Sequence, residues 1–144
     1  MKYTTMDFIK LNNKIYRNTQ MYLDKVLKKY QISSGAYPYL FMLEKGEGIS
    51  QNKISKEIGH DKAMSARTIT KLIKLGYVYK KGDDRDNRAY RLYLTEKARE
   101  VMPQIHKEIG ILGAFITEDL SEEEKIITTK ALSKIFDKTR QLKE

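Results

Sequence analysis

The chain has 144 residues, 33% of them charged and 40% hydrophobic, with no cysteine and two histidines. That length supports a hydrophobic core without disulfide or metal staples, and the missing thiols exclude a cysteine nucleophile and a thiolate metal site. Lys and Arg number 28 against 19 Asp and Glu, a net charge of +9 that points to a polyanionic partner, either nucleic acid or an anionic membrane surface. The longest apolar run, 109–116, is too short to span a membrane, and the first residues lack the apolar stretch of a signal peptide. A cytoplasmic protein is expected.

In chain order, Phe8, Leu11, Ile15, Tyr22, Val26 and Tyr30 recur at helical spacing and predict one amphipathic helix over 7–30. Ser33 is expected to cap a second helix carrying Tyr37, Leu40, Phe41 and Leu43, bent locally at Pro38 and ended by Gly46 and Gly48. Ser50 predicts a cap for a helix over 51–58, and Asp61 a cap for a helix over 62–75 that Gly76 stops. The turn between them, Gly59, His60 and Asp61, makes the pair a helix-turn-helix with His60 exposed in the turn. Residues 77–81 and 89–94 then read as a β-hairpin around a long polar tip at 82–88. Thr95 is expected to cap a long helix kinked at Pro103, with His106 on its surface. Ser121 and Glu124 form a capping box before a last helix bearing Ile127, Leu132 and Ile135. The fold class is mainly α with a small β-hairpin wing: a single domain whose centre is a winged helix-turn-helix.

The positive excess is not spread evenly. Residues 1–30 carry +5 and residues 52–91 carry +6, while the two remaining stretches carry −1 each. Within the second block, Ser65, Ile69, Leu72 and Ile73 share the inward face of helix 62–75. Lys62, Ala63, Met64, Arg67, Thr70, Lys71 and Lys74 cover the rest. A helix face that mixes guanidinium, ammonium and small apolar groups suits the major groove. Arg67 has the fork that reads guanine, Ala63 or Met64 can touch a thymine methyl, and Lys71 and Lys74 suit phosphates. At the hairpin tip, Arg85 and Arg88 alternate with Asp83, Asp84 and Asp86. The charge there nearly cancels, so the tip is poor phosphate glue, but a carboxylate can hold an Arg in the rotamer that enters a narrow minor groove.

No Gly-rich phosphate loop, nucleophile elbow or paired-His motif is present, so no enzyme and no cofactor is expected. His60 and His106 lie 46 positions apart, without metal-ligand spacing.

The run Asp83-Asp84-Arg85-Asp86-Asn87-Arg88 followed by Leu92-Tyr93-Leu94-Thr95 resembles the wing of the MarR (multiple antibiotic resistance) regulators. Their D-x-R-[DE]-x-R tip falls on Asp83, Arg85, Asp86 and Arg88. The L-T-x-x-G that follows is met at Leu94 and Thr95, with Ala98 where Gly is frequent. Residues 61–78 are similar to the family's recognition helix and first wing strand, residues 49–54 to the preceding helix, and residues 120–124 to the start of the last. The resemblance implies a two-fold dimer on a palindromic operator. Helices in 1–31 and 95–144 would form the dimerisation region, and 32–94 the DNA-binding region. It implies that the recognition helix reads the major groove through Lys62, Ala63, Met64 and Arg67, while Arg85, oriented by Asp83, reaches the minor groove. Ser50, Lys53, Lys71, Lys74 and Arg88 complete the expected DNA-contacting set.

Dimerisation also follows from the residues alone, because three long amphipathic helices present more apolar surface than one small central module can cover. The resemblance further implies release from DNA by a small aromatic or anionic effector, for which Arg17, Tyr37 and Tyr39 are the candidate lining. The expected function is therefore a transcriptional regulator, a repressor in the first instance. A winged-helix adaptor for protein or RNA is the competing expectation, since fold does not fix function.

Overall fold

A computed structural model describes residues 2–83 and 86–143 of the chain, with side chains described for 2–82 and 90–142. The chain divides into two compact units, residues 1–108 and 109–144.

The first unit opens with α1 (Thr5–Val26). Its start is fixed by a capping box in which the Thr4 hydroxyl accepts from the Asp7 amide at 3.1 Å and the Asp7 carboxylate accepts from the Thr4 amide at 3.0 Å. The sequence predicts this helix as far as residue 30. It closes at Val26 instead, and a 3₁₀ turn (Lys28–Tyr30) follows, with Gln31 in the left-handed region at φ 61°. The tighter turn lets both Leu27 and Ile32 enter the core, where each is buried.

Helix α2 (Tyr37–Lys45) also departs from expectation at its start. Ala36 is its N-cap, and Ser33 contributes only its main-chain carbonyl, which accepts from the Ala36 and Tyr37 amides at 3.0 and 3.3 Å. Pro38 thereby falls within the first turn, where its missing N–H has no intrahelical partner to lose, so the cause of the predicted bend disappears.

Three short elements then build the helix-turn-helix: β1 (Ile49–Ser50), α3 (Gln51–Ile58) and α4 (Lys62–Lys74). The hairpin strands β2 (Val78–Asp83) and β3 (Asp86–Leu94) complete an antiparallel sheet of order β1-β3-β2. Both strands run further than predicted, because Gly82 and Asp83 join the ladder through a register shift between them. Strand β1 was not predicted at all. Two residues lack periodicity, and only their pairing, Ile49 with Leu92 and Ser50 with Arg91, makes them a strand.

Val78, Leu92 and Leu94 are buried against the helices, while Tyr79 and Lys81 on the other face are exposed. Helix α5 (Glu96–Ile116) begins where the Thr95 hydroxyl accepts from the Ala98 amide at 3.2 Å and donates to the Gly76 carbonyl at 2.6 Å. It runs on through Pro103. Leu27, Tyr39, Leu40, Leu43, Ile54, Leu72, Leu92 and Ile105 are among the most deeply buried residues, so the core draws on the turn after α1 and on α2, α3, α4, β3 and α5.

The second unit holds the end of α5 and all of α6 (Glu122–Thr139). Ser121 and Glu124 form the predicted capping box, their reciprocal bonds 3.1 and 3.0 Å long. No described residue of α6 is buried, and Ile126, Ile127 and Leu132 expose between 48% and 66% of their surface.

Candidate nucleic-acid interface

The helix-turn-helix is set by side chains at its corners. The Ser50 hydroxyl accepts from the Lys53 amide at 3.2 Å and starts α3. Gly59 ends it at φ 85°, a left-handed conformation that a residue with a Cβ adopts only at a cost. Two residues later the Asp61 carboxylate accepts from the Met64 amide at 2.7 Å and starts α4. Beyond α4 the Tyr77 amide donates back to the Leu72 carbonyl at 2.9 Å, with Gly76 at φ 85°, and this turns the chain straight into β2.

A polar cluster lies beneath that turn. The Tyr39 hydroxyl, on α2, is 2.8 Å from His60 Nδ1 and 2.9 Å from Ser65 Oγ. Ser65 Oγ is 3.0 Å from Ser55 Oγ, and the Ser55 hydroxyl donates to the His60 carbonyl at 2.9 Å. Tyr39, Ser55 and Ser65 are buried. His60 is half-buried and its ring leans on that of Tyr39, with centroids 5.7 Å apart, so the expectation of an exposed turn histidine is corrected. Burial of Ile54, Ile69 and Leu72 beside the cluster is the reason, since packing α3 on α4 draws the turn inward.

The outer face of α4 carries Lys62, Ala63, Met64, Arg67, Lys71 and Lys74, all exposed. Ile73, predicted to face inward, is only half-buried. An open groove of about 760 Å³ runs along this face, lined by Ala66, Arg67, Thr70, Lys71, Lys74 and Leu75. The helix contains no acidic residue, and among the described residues Lys62, Arg67, Lys71 and Lys74 make no ion pair. Arg67, Lys71 and Lys74 gather on one exposed face, with Lys62 exposed at the helix start; together they raise the local positive potential, and their donors are available to an anionic ligand. On α3, Lys53 is exposed, and Ser50 keeps its own O–H to donate because capping uses only its lone pair.

On the sheet, Tyr79 and Tyr93 stack at 5.3 Å, and Lys81 lies over the Tyr93 ring at 5.3 Å. The Arg91 guanidinium donates to the Gly48 carbonyl at 2.8 Å and pins β3 to the turn before β1. The side chains of Asp83, Arg85 and Arg88, to which the wing-tip contacts were assigned, lie outside the described residues.

The three effector candidates are not brought together by any hydrogen bond or ion pair. Arg17 is exposed on α1, and Tyr37 is half-buried with its ring edge-on to Phe41 at 5.2 Å. Burial raises the Tyr37 pKa above the ordinary tyrosine value, which keeps it a neutral hydroxyl. Tyr39 has no solvent-exposed surface, and its hydroxyl is occupied by His60 and Ser65.

Sequence reasoning missed the clamp on α2. The His106 ring stacks on Phe41 at 4.3 Å, and its Nε2 lies 2.5 Å from the Glu44 carboxylate. Position 106 marks only a helix surface in the sequence, and its partners stand 62 and 65 residues away. For the buried cluster there was a signal, since Ser65 falls on the otherwise apolar face of α4.

The model of the MarR family matches residues 30–89 of the chain. The chain is 32% identical over 124 residues to the HTH-type transcriptional regulator BilQ of Clostridioides difficile (strain CD3), covering 86% of this chain and 82% of that protein. Among solved structures, a MarR transcriptional regulator from Methanosarcina mazei Go1 superposes with a TM-score of 0.85 at 32% identity, over 94% of this chain and 99% of that one. A MarR family regulator from Listeria monocytogenes, complexed with a 26mer DNA, superposes with a TM-score of 0.86 at 25% identity, over 98% of this chain and 91% of that one.

Proposed function

The chain belongs to the MarR family of transcriptional regulators, and from that we propose that it binds a palindromic duplex-DNA operator as a homodimer, and represses where that operator overlaps a promoter. The observation that carries the proposal is the outer face of α4, where Lys62, Arg67, Lys71 and Lys74 stand exposed with no carboxylate between them. The Listeria relative, alike over nearly the whole chain, is a complex with DNA.

In the proposed complex α4 lies in the major groove. Arg67 donates its fork to a guanine edge, Ala63 and Met64 meet thymine methyls, and Lys62, Lys71 and Lys74 meet phosphates. Ser50 and Lys53, at the start of α3, contact the backbone on the other side of the groove. Arg85 enters the minor groove with Asp83 holding it, and Arg88 contacts the flanking phosphate.

Residues 32–94 supply this DNA-binding region, while helices in 1–31 and 95–144 join the two protomers. Exposed Ile9, Leu11 and Ile15 on α1, and Ile127 and Leu132 on α6, support the latter assignment, since an isolated protomer leaves this apolar surface in water. A small aromatic or anionic effector is proposed to act near Arg17 and Tyr37. The site of action is the cytoplasm, in keeping with the absence, among the described residues, of any helix long and apolar enough to cross a membrane.

Selection from a randomised duplex pool at ~0.15 M salt tests the proposal. Enrichment of a near-palindrome with half-site centres about one helical turn apart is the expected result. A folded dimer that enriches nothing, and whose nucleic-acid affinity is flat with salt, overturns it in favour of an adaptor.

A further inference from the structure

Four contacts join Tyr39, His60, Ser65 and Ser55 into a closed ring: Tyr39 Oη to His60 Nδ1, Tyr39 Oη to Ser65 Oγ, Ser65 Oγ to Ser55 Oγ, and Ser55 Oγ to the His60 carbonyl. All four distances, between 2.8 and 3.0 Å, are hydrogen-bond distances, so each needs one hydrogen. The three hydroxyls supply three. The His60 carbonyl has none to give, so Ser55 donates there. Ser65 must then donate to Ser55, and Tyr39 to Ser65. The remaining contact, between Tyr39 and His60, is left without a hydrogen unless the imidazole provides it.

We infer that His60 carries a proton on Nδ1 and donates it to Tyr39, closing a one-way ring of hydrogen bonds that positions α4 on α3 and α2. The ring closes equally with the neutral Nδ1–H imidazole and with the imidazolium, because only the Nδ1 proton enters the count. The opposite tautomer forces two lone pairs together at 2.8 or 2.9 Å inside a buried cluster.

The topology gives the ring its consequence. Tyr39 stands on α2, Ser55 on α3, His60 in the turn and Ser65 in the first turns of α4. Ser65 lies on the buried face of α4, one helical turn from both Lys62 and Ile69. Tyr39 and His60 are therefore positioning residues: they touch no DNA, and they fix the direction in which α4 presents Lys62, Ala63, Met64 and Arg67. This consequence rests on the DNA-binding reading above, whereas the Nδ1 proton does not.

The test uses the full-length protein with ¹⁵N-labelled histidine. Long-range ¹H–¹⁵N spectra should show a pyrrole-type, protonated Nδ1 for His60, assigned by the loss of its signals in His60→Asn. A pyridine-type Nδ1 overturns the inference without any reference to DNA. The variants give a second, independent reading. The Asn amide places an N–H where Nδ1–H stands, whereas the Asp carboxylate offers only an acceptor. His60→Asn should keep the wild-type urea midpoint and affinity for the selected duplex, while His60→Asp and Tyr39→Phe each lose about tenfold in affinity. Rescue by Asp as good as that by Asn overturns the donor assignment. Equal duplex affinity in all four proteins, with a pyrrole-type Nδ1, overturns the positioning role and leaves the proton in place.

Discussion

The winged-helix region and the helices at the two ends of the chain use apolar residues in opposite ways. Around α2, α3, α4 and the sheet, nearly every large aliphatic residue on an inward face is buried, with Leu40, Ile54, Leu72 and Leu92 at 1% exposure or less. Along α1 only Leu23 is buried, and along α6 none of the described residues is, although Ile127 and Ile135 stand eight positions apart and Leu132 and Ile135 three, the spacings of one helix face. A face with a helical apolar period and nothing covering it is unfinished: fully burying one such side chain is worth about 1.5–3 kcal/mol, and here that gain is unrealised. The central region buries its apolar residues within one protomer, and the ends carry the uncovered apolar surface on which the proposed dimer rests.

Two substitutions set the regions against each other. Leu132→Glu puts a carboxylate in the middle of the α6 apolar face, and burying an unpaired charge costs several kcal/mol. The expected result is a monomer by analytical ultracentrifugation and roughly hundredfold weaker operator binding, with the core methyl signals of Leu40 and Ile54 unmoved. A variant that stays dimeric would show that α6 faces solvent in the functional state. Leu40→Ala acts the other way. The cavity left in a closed core should cost about 2–5 kcal/mol by urea unfolding, with the sedimentation of the folded protein unchanged. A loss below about 1 kcal/mol would mean that this core is looser than its burial suggests.

The same division decided what was legible in the sequence. Helices α3 and α4 could be bounded almost to the residue, because Ser50, Gly59, Asp61 and Gly76 are local signals whose physics is complete within four positions. The last helix announced itself through the Ser121 and Glu124 capping box for the same reason. Where a boundary is set by tertiary contacts, the local pattern misleads. The helical period of α1 runs on to Tyr30, but the chain turns early so that Leu27 and Ile32 are both buried. Ser33 has the chemistry of a cap and is not one, since the backbone already turns through its carbonyl. The cationic face of α4 was readable, because exposed charges follow from helical geometry alone. The ring beneath it was not, because Tyr39 and Ser65 are 26 residues apart and only the fold makes them neighbours.

The remaining predictions sharpen the comparison within the central region, between side chains that read and side chains that hold. Arg67→Ala should cost about 1–3 kcal/mol on the selected operator and relax base preference at one position in each half-site. An equal loss on every sequence would make Arg67 a phosphate contact instead. Arg85→Ala should weaken binding by less than that, with the dimer intact by sedimentation, since minor-groove insertion reads width more than base identity. Unchanged affinity would remove the wing tip from the interface.

Lys74→Ala should produce the smallest change at any single salt concentration and the most diagnostic one across several. Lys74 lies in the last turn of α4, lining the same groove as Lys71, and among the described residues it has no acidic partner. Its ammonium is too compact to read a base edge in two directions, so its contribution is charge rather than specificity. Each phosphate neutralised releases condensed counterions, and losing the contact should flatten the plot of log affinity against log salt by about 0.9 for each protomer. Base preference in the selected pool should not move. If the slope holds and preference changes instead, Lys74 sits over bases, and α4 then enters the groove along more of its length than its first turns. Because the Lys74 and Arg67 effects belong to different observables, measuring both on one set of duplexes separates the residues that place α4 in the groove from those that read what lies beneath it.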